Sequence, residues 1–352
     1  MGGTALIVGA TGASAKRLVE ALLAKHDWSV VGLARNPPQR SAHPRLAYLR
    51  ADLLDEIDCA RAFRDLGAVT HVYYTARAQH GESGIESVEE NAAMFRHLLD
   101  ALLPAARALE HVHLVQGGKY YGVHLGPYAT PAREDDARGA VPNFYYAQED
   151  LLRERQRGAR WSFSISRPNV LCDFAPERAR NLSSVLGAYA AICAELGTVL
   201  HFPGRAECWH ALTEATDASH FAAALVHITT DPRCANRAFN VTNGDLFRWK
   251  RFWPRLAAAF GLAAGEVRPV ALADWMMDKE TLWRRIVERR DLARTRLADV
   301  AAWPFADFVF GLGWDVVSST TELRQSGFHP VVDTEAMFLD HLQRYRESRI
   351  LP

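Results

Sequence analysis

The sequence is short of every feature that would commit it to disulfide, metal, membrane or nucleic-acid chemistry. Its five cysteines (Cys59, Cys172, Cys193, Cys208, Cys234) are scattered and form no C-x-x-C pair. That pattern excludes a disulfide framework and fits a reduced compartment. Lys+Arg and Asp+Glu are 41 each, so there is no net charge to draw the chain to a polyanion. No apolar run approaches the roughly 20 residues of a membrane span. The first apolar run, Ala5–Val8, is too short for a signal-peptide core and leads straight into a glycine turn. Repeats and low-complexity segments are also missing. We expect a cytoplasmic globular protein without a metal. His111 and His113 alternate on one strand face, but no third ligand with fitting spacing accompanies them.

Two local absences carry more. The first is at the second apolar strand, Ser29–Ala34, which ends in Arg35-Asn36-Pro37 with no acidic residue. A site selective for NAD places Asp or Glu there for the ribose hydroxyls. Arg35 suits a 2′-phosphate instead, by charge and by stacking on adenine, so we expect NADPH, with Arg40 assisting. Upstream, the strand Thr4–Val8 runs into Gly9-Ala10-Thr11-Gly12-Ala13-Ser14-Ala15 and then a helical pattern through Leu18, Leu22 and Leu23. Strand, glycine turn and helix in that order are what a dinucleotide pyrophosphate needs. Gly9 makes the turn, Gly12 admits the anion, and Thr11, Ala13 and Ser14 surround it at the helix start. After the third strand, Asp52 is placed to accept from the adenine amino group or to cap a helix, and Leu53 to pack on the ring. Thr75 and Ala76 end the fourth strand, Val69–Ala76, and should lie along the cofactor, because ligands sit at the carboxyl ends of parallel strands.

The second absence is a lysine. Residues 143–150 read Asn-Phe-Tyr-Tyr-Ala-Gln-Glu-Asp and open a helix over Tyr146–Arg155. Short-chain dehydrogenases put a lysine four residues after a catalytic tyrosine, where the ammonium lowers the phenol pKa. Counted from Tyr146 that position holds Asp150, which would raise it. Either Tyr146 is not catalytic, or a cation arrives from elsewhere. The candidate is Lys119, in Gly117-Gly118-Lys119-Tyr120-Tyr121-Gly122 after the fifth strand, His111–Gln116. Tyr145 is the competing phenol, but only Tyr146 has the four-residue spacing. A sixth strand, Trp161–Ser166, closes in Arg167-Pro168-Asn169-Val170. Gln116, Pro168, Asn169 and Val170 would then stand beside the nicotinamide.

After Val170 the strand–helix alternation fades. Helices are expected at 181–196, 217–227 and 249–256, with a strand at 238–243. Tryptophan is concentrated in this half, and the aromatic run Trp303–Phe310 would form core or wall a pocket. The fold class expected is α/β: a Rossmann-type doubly wound parallel sheet with a smaller, mostly helical C-terminal lobe. Residues 1–170 form the dinucleotide-binding core, with strand 238–242 and helix 217–227 returning to it, and residues 171–352 are mainly the substrate lobe.

Taken together, the glycine turn, Arg35, Asp52, Lys119 and the Asn-Phe-Tyr-Tyr-x-x-Glu-Asp segment resemble an atypical extended short-chain dehydrogenase. More narrowly, the chain resembles the progesterone 5-beta-reductase and iridoid synthase-like enone reductases. It departs from them in having Gly117-Gly118 before the lysine and Tyr120-Tyr121 after it. The resemblance implies NADPH-driven 1,4-reduction of a small-molecule enone, with Tyr146 as the catalytic phenol and Lys119 its cationic companion, in a possible homodimer. The alternatives are a carbonyl reductase or a nucleotide-sugar epimerase, against which the missing lysine argues, and an NADPH-sensing regulator without turnover.

Overall fold

A computed structural model describes residues 2–41, 43–78 and 86–352, and its centre is a sheet of seven parallel strands. They are β1 (Gly3–Val8), β2 (Trp28–Ala34), β3 (Leu46–Arg50), β4 (His71–Tyr74), β5 (His111–Val115), β6 (Ser162–Pro168) and an edge strand, Arg237–Val241. From one edge the order is Arg237–Val241, β6, β5, β4, β1, β2, β3. The inner strands are buried on both sides because helices cover both faces: β1 is a near-continuous apolar run, while β5 and β6 carry histidines and serines that satisfy one another. Leu18, Tyr73, Phe221 and Phe239 pack on one face. Phe63, Tyr74, Phe95 and Phe163 pack on the other. The chain goes outward from β1 through β2 to β3, then returns to β4 and continues the opposite way. That reversal leaves a crevice at the carboxyl ends of β1 and β4.

Two segments of the second half lie on the sheet, and the rest forms a helical lobe. The edge strand pairs with β6, Phe239 beside Ser166. Helix Ala218–Thr230 packs against the first helix, Ala13–Leu23. The lobe proper is helical around a core of Tyr189, Phe202, Trp249, Trp253, Trp283 and Phe338. Helix Trp249–Ala259 runs past the expected end and tolerates Pro254 inside it.

Among the described residues no helix is long and apolar enough to cross a membrane. All five cysteines are free and buried. His111 and His113 are committed to a buried ladder with the serines of β6. Nδ1 of His111 meets Ser162 Oγ at 2.8 Å and Nε2 meets Ser164 Oγ at 2.6 Å. His113 meets Ser164 at 2.7 Å and Ser166 at 2.8 Å. Burial takes the His111 imidazole down to about 3, so these rings pair strands as neutral groups.

Candidate active site

The crevice is a cavity of about 910 Å³. It is lined by Gly9, Thr11, Gly12, Arg35, Asp52 and Leu53, together with Thr75 and Ala76. Gly9 has φ 85°, and a Cβ there would stand 3.0 Å from the Ala76 Cα, so both conformation and space require glycine. A Cβ on Gly12 would stand 2.9 Å from the Gly9 carbonyl oxygen. No side chain caps the first helix at Gly12, which leaves the opening N–H groups at Ala13 and Ser14 facing the turn, as an anion requires. Ser14 is not among the residues lining the cavity, and the Ala13 side chain lies outside the described residues. The cap of the helix after Asp52 is Asp55, which accepts from Ile57 and Asp58 N–H, so Asp52 is not a capping residue. Arg35 is exposed at the end of β2, and among the described residues it has no ion-pair partner. These residues fit a dinucleotide. Sequence reasoning missed Arg77, Glu86 and Arg178 on the same walls.

The two tyrosines separate here. The tyrosine helix spans Phe144–Gln156, two residues earlier than its apolar pattern indicates, because Asn143 caps it: Asn143 Oδ1 accepts from Tyr145 N at 3.0 Å. One residue of a helix turns a side chain through about 100°, so neighbours in the first turn face different regions. Tyr146 Oη donates to the Tyr120 carbonyl at 2.7 Å and accepts from Gly139 N at 3.0 Å. Tyr146 borders a small recess shared with Lys119, Gly139 and Val141, and does not line the 910 Å³ cavity. Lys119 Nζ is held by Glu86 at 2.7 Å, and Arg77 meets the other oxygen of that carboxylate at 2.8 Å. The expected pairing of the Tyr146 phenol with the Lys119 ammonium is therefore corrected: each polar atom is committed to a different partner.

Tyr145 does not line the cavity either, but it stands behind its wall, in the field of Arg77 and Glu86, which do. A Cβ on Gly117 would come within 3.1 Å of Tyr145 Oη and 3.5 Å of the Pro168 carbonyl oxygen. A Cβ on Gly118 would stand 2.7 Å from Asn169 Oδ1. The two glycines let the phenol lie against the end of β5 while β6 closes beside it. Among the described residues the Tyr145 hydroxyl has no hydrogen-bond partner, although the residue is only 8% exposed. Burial pushes it up to about 12, against the charge of Arg77.

Counted from Tyr145, the residue four along is Glu149, and it is buried. Arg167 Nη2 donates to it at 3.2 Å and Arg153 Nε at 2.9 Å. Arg167 also donates to Gln116 Oε1 at 2.9 Å and lies 3.3 Å over the Tyr120 ring. Burial would raise the Glu149 carboxyl, but Arg167, then Arg153 and Arg138, hold it below its usual range. Gln116 is used up in this network: its Nε2 donates to the Tyr145 carbonyl at 3.0 Å. It supports the tyrosine helix from beneath and does not reach the cavity. Pro168, Asn169 and Val170 flank Gly117 and Gly118 instead of lining the cavity. Asn169 donates to buried Glu214 at 3.2 Å. Val170 has φ 39°, a strained conformation for a β-branched residue, fixed by its carbonyl accepting from Thr216 N at 3.1 Å.

The sheet, the glycine turn and the tyrosine behind the cavity wall define a short-chain dehydrogenase/reductase. Residues 49–352 match the PRISE-like Rossmann-fold domain, and the chain belongs to that family, the progesterone 5-beta-reductase and iridoid synthase-like enzymes. It is 33% identical to the short chain dehydrogenase gsfE of Penicillium aethiopicum, covering 99% of each chain. It is 34% identical to the 3-oxo-Delta(4,5)-steroid 5-beta-reductase of Arabidopsis thaliana, covering 99% of this chain and 93% of that one. The (S)-8-oxocitronellyl enol synthase of Catharanthus roseus is 32% identical over 99% and 92%. Among solved structures, a short-chain dehydrogenase/reductase superfamily protein from Agrobacterium tumefaciens with bound NAD aligns over 99% of this chain and 98% of its own, with TM-score 0.67 at 16% identity. UDP-glucose 4-epimerase of Thermus thermophilus aligns over 97% and 99%, with TM-score 0.64 at 18% identity. These two likenesses concern the fold.

Proposed function

We propose that the protein reduces the carbon–carbon double bond of a small enone with NADPH, and that Tyr145 is the group that stabilises the enolate. The observation that carries this reading is the contrast between the two phenols. Tyr146 is satisfied twice by backbone, whereas the Tyr145 hydroxyl has no partner among the described residues and stands close to Arg77 and Glu86 on the cavity wall. The curated relatives named as a steroid 5-beta-reductase and as enol synthases support the same reaction class. Arg35, unpaired on the cavity wall where an acidic residue would favour NADH, supports the phosphorylated cofactor.

When bound, the cofactor supplies a hydride to the substrate's β-carbon and leaves oxidised. The protein's part is electrostatic. Negative charge grows on the carbonyl oxygen as the double bond is reduced, and the Tyr145 O–H donates a hydrogen bond to it. One such donor in a preorganised site is worth roughly 3–4 kcal/mol of barrier. A phenol held at about 12 keeps its proton and acts by that hydrogen bond. The enolate then takes a proton from water at the α-carbon, giving the saturated ketone. Lys119 and Arg77 share the single carboxylate of Glu86, so positive charge remains in excess near the oxygen that becomes negative. No lysine four residues beyond Tyr145 or Tyr146 is needed, because the phenol need not be deprotonated at any stage.

The test is turnover of a small enone with NADPH and with NADH, with product identified by NMR. Saturated ketone, with NADPH preferred, is the expected outcome. Allylic alcohol would mean carbonyl reduction, and cofactor oxidation at background across an enone panel would mean a sensor. Tyr145→Phe should lower kcat by roughly 100-fold, the loss of one oxyanion donor. Tyr146→Phe should stay within about threefold, since its hydroxyl only ties loops together. The reverse ranking would restore Tyr146 as the catalytic phenol.

A further inference from the structure

Arg180 is a charged group for which the reaction as drawn has no use. It lies between Asp173 and the helix Leu182–Glu195, and its backbone is fixed by its neighbour: Asn181 caps that helix and also donates to the Tyr345 hydroxyl at 3.2 Å. Its guanidinium lies 4.4 Å over the Phe305 ring. One turn along the same helix (Trp303–Phe310), Phe308 faces the Lys119 ammonium at 5.9 Å. Phe305 and Phe308 are spaced i,i+3 and share a helix face, while Ala306, Val309 and Phe310 turn into the core. Arg180 and Lys119 thus meet one aromatic wall, and both lie near Tyr145 and Glu86.

Their situations differ in one respect. Lys119 has Glu86; among the described residues Arg180 has no hydrogen-bond acceptor and no carboxylate. A ring face offsets part of the charge but accepts none of the five N–H donors of a guanidinium. Arg180 is exposed to solvent, and its guanidinium lies over the Phe305 ring, where a ligand can reach it. Burial and the neighbouring charge of Arg77 both depress its pKa, and its own charge acts on the Tyr145 phenol. Arg77 and Arg180 both act on the Tyr145 phenol, and Glu86, the carboxylate that acts on it among the described residues, is paired with Arg77 and Lys119. The cofactor's phosphates do not supply the missing anion. They belong at the Gly9–Gly12 turn and Arg35; Arg178, two residues earlier, lines that cavity together with Arg35 and Arg77, while Arg180 lies outside its lining.

We infer that Arg180 is a substrate-recognition residue that pairs with a carboxylate on the enone, so that the preferred substrates are enone acids with an apolar remainder against Phe305 and Phe308. Guanidinium and carboxylate match in bidentate geometry, and the proximity of Arg180 to the neutral Tyr145 phenol puts the carboxylate on the carbonyl side of the double bond. The inference rests on the enone-reductase reading and refines its substrate class.

The probes are benzylidenepyruvate and its methyl ester, compared in wild type, Arg180→Gln and Arg180→Lys. The acid-to-ester ratio of kcat/KM cancels the intrinsic reactivity of each compound when wild type and variant are divided. Arg180→Gln should lower that ratio roughly 10- to 100-fold, through the KM of the acid, as for loss of a charge-assisted pair. Arg180→Lys should fall between, and the NADPH Kd should move less than about twofold. An acid-to-ester ratio the same in wild type and Arg180→Gln overturns the proposal. So does an NADPH Kd that weakens while the ratio holds, which would make Arg180 a cofactor ligand. If neither compound is reduced by wild type, the enone reading fails by itself. Calorimetric binding of the saturated acid and its ester to the protein–NADP⁺ complex then decides: selective loss of acid binding in Arg180→Gln supports the role, and equal binding in both proteins overturns it.

Discussion

The helical lobe ties in most of its large polar side chains, with Thr295 Oγ1 and Trp314 Nε1 of the C-terminal half left buried without a partner, whereas the carboxyl edge of the sheet leaves the cations Arg35 and Arg180 open. In the lobe, Trp253 is fully buried and still donates its indole N–H to the Leu200 carbonyl at 2.8 Å. Trp283 does the same with Thr295 at 3.1 Å. At the sheet edge, the Tyr145 hydroxyl, Arg35 and Arg180 have no acceptor among the described residues. Buried donors normally find partners. The Tyr145 hydroxyl is such a donor without a partner, behind the wall of the large cavity, whereas Arg35 and Arg180 are exposed cations that a ligand can reach. The aromatic wealth of the second half is mostly core; only Phe305 and Phe308 among the aromatics of their helix turn outward to the cations.

The sharpest break between the two regions comes from cutting the scaffold. Trp253→Ala removes a fully buried indole packed against Phe202, Trp209 and Trp249. It should cost about 3–5 kcal/mol of stability. At a temperature where the variant is still folded, its NADPH Kd should remain within about twofold of wild type. Chemical denaturation and fluorescence titration read both, and a large loss of cofactor affinity in the folded variant would show that the lobe core shapes the cleft directly.

The converse change is Gly117→Ala. A methyl there meets the Tyr145 hydroxyl at 3.1 Å, tighter than an ordinary contact. Gly117 has extended backbone, so no conformational penalty accompanies the substitution. The phenol must move by a few tenths of an ångström, which should lower kcat roughly tenfold, since a displaced donor loses part of one oxyanion interaction, with less than about 1 kcal/mol of stability lost. Full activity would argue that the Tyr145 hydroxyl does not need its present position.

What was readable in the sequence follows the range of the interactions. The glycine turn, Arg35, Asp52 and the strand ends Thr75 and Ala76 are local signals with fixed places in the parallel fold, and all line one cavity. The choice between adjacent tyrosines was not readable from the apolar pattern, because it depends on where the helix starts. The signal was present: Asn143, a good capping residue, two positions before Tyr145. Counting four residues back from Asp150 selected Tyr146, whereas Tyr145 stands four before Glu149, the carboxylate that the fold buries on Arg167. Neither that pair nor Arg77 and Lys119 on Glu86 has a short-range spacing to betray it; both are assembled by strand ends meeting in space. Gln116 was misjudged for the same reason: Arg167, its partner, lies on the neighbouring strand.

The smallest effect separates two buried glutamates on either side of Gly117 and Gly118. Glu149 sits among Arg167, Arg153 and Arg138. Glu214 has no cation and is held by Ser318 N–H at 2.8 Å, Ser318 O–H at 2.7 Å and Asn169. Burial dominates at Glu214 and raises its carboxyl, whereas the arginines win at Glu149 and lower it. The two therefore give opposite slopes of stability with pH. The depressed group binds fewer protons folded than unfolded, so its contribution is present above the ordinary value of 4.5 and is lost as pH falls below it through the folded pKa. The raised group binds more protons folded, so its contribution is complete below 4.5 and is lost as pH rises through the folded pKa. Denaturation midpoints from pH 3.5 to 7 should show the wild-type advantage over Glu149→Gln growing with pH up to about 4.5 and then holding. The wild-type advantage over Glu214→Gln should shrink above about 4.5. Parallel profiles for the two variants would mean that a neutral hydrogen-bond shell compensates a buried carboxylate as well as three arginines do, and the contrast between the two sides of the cleft would then be one of geometry alone.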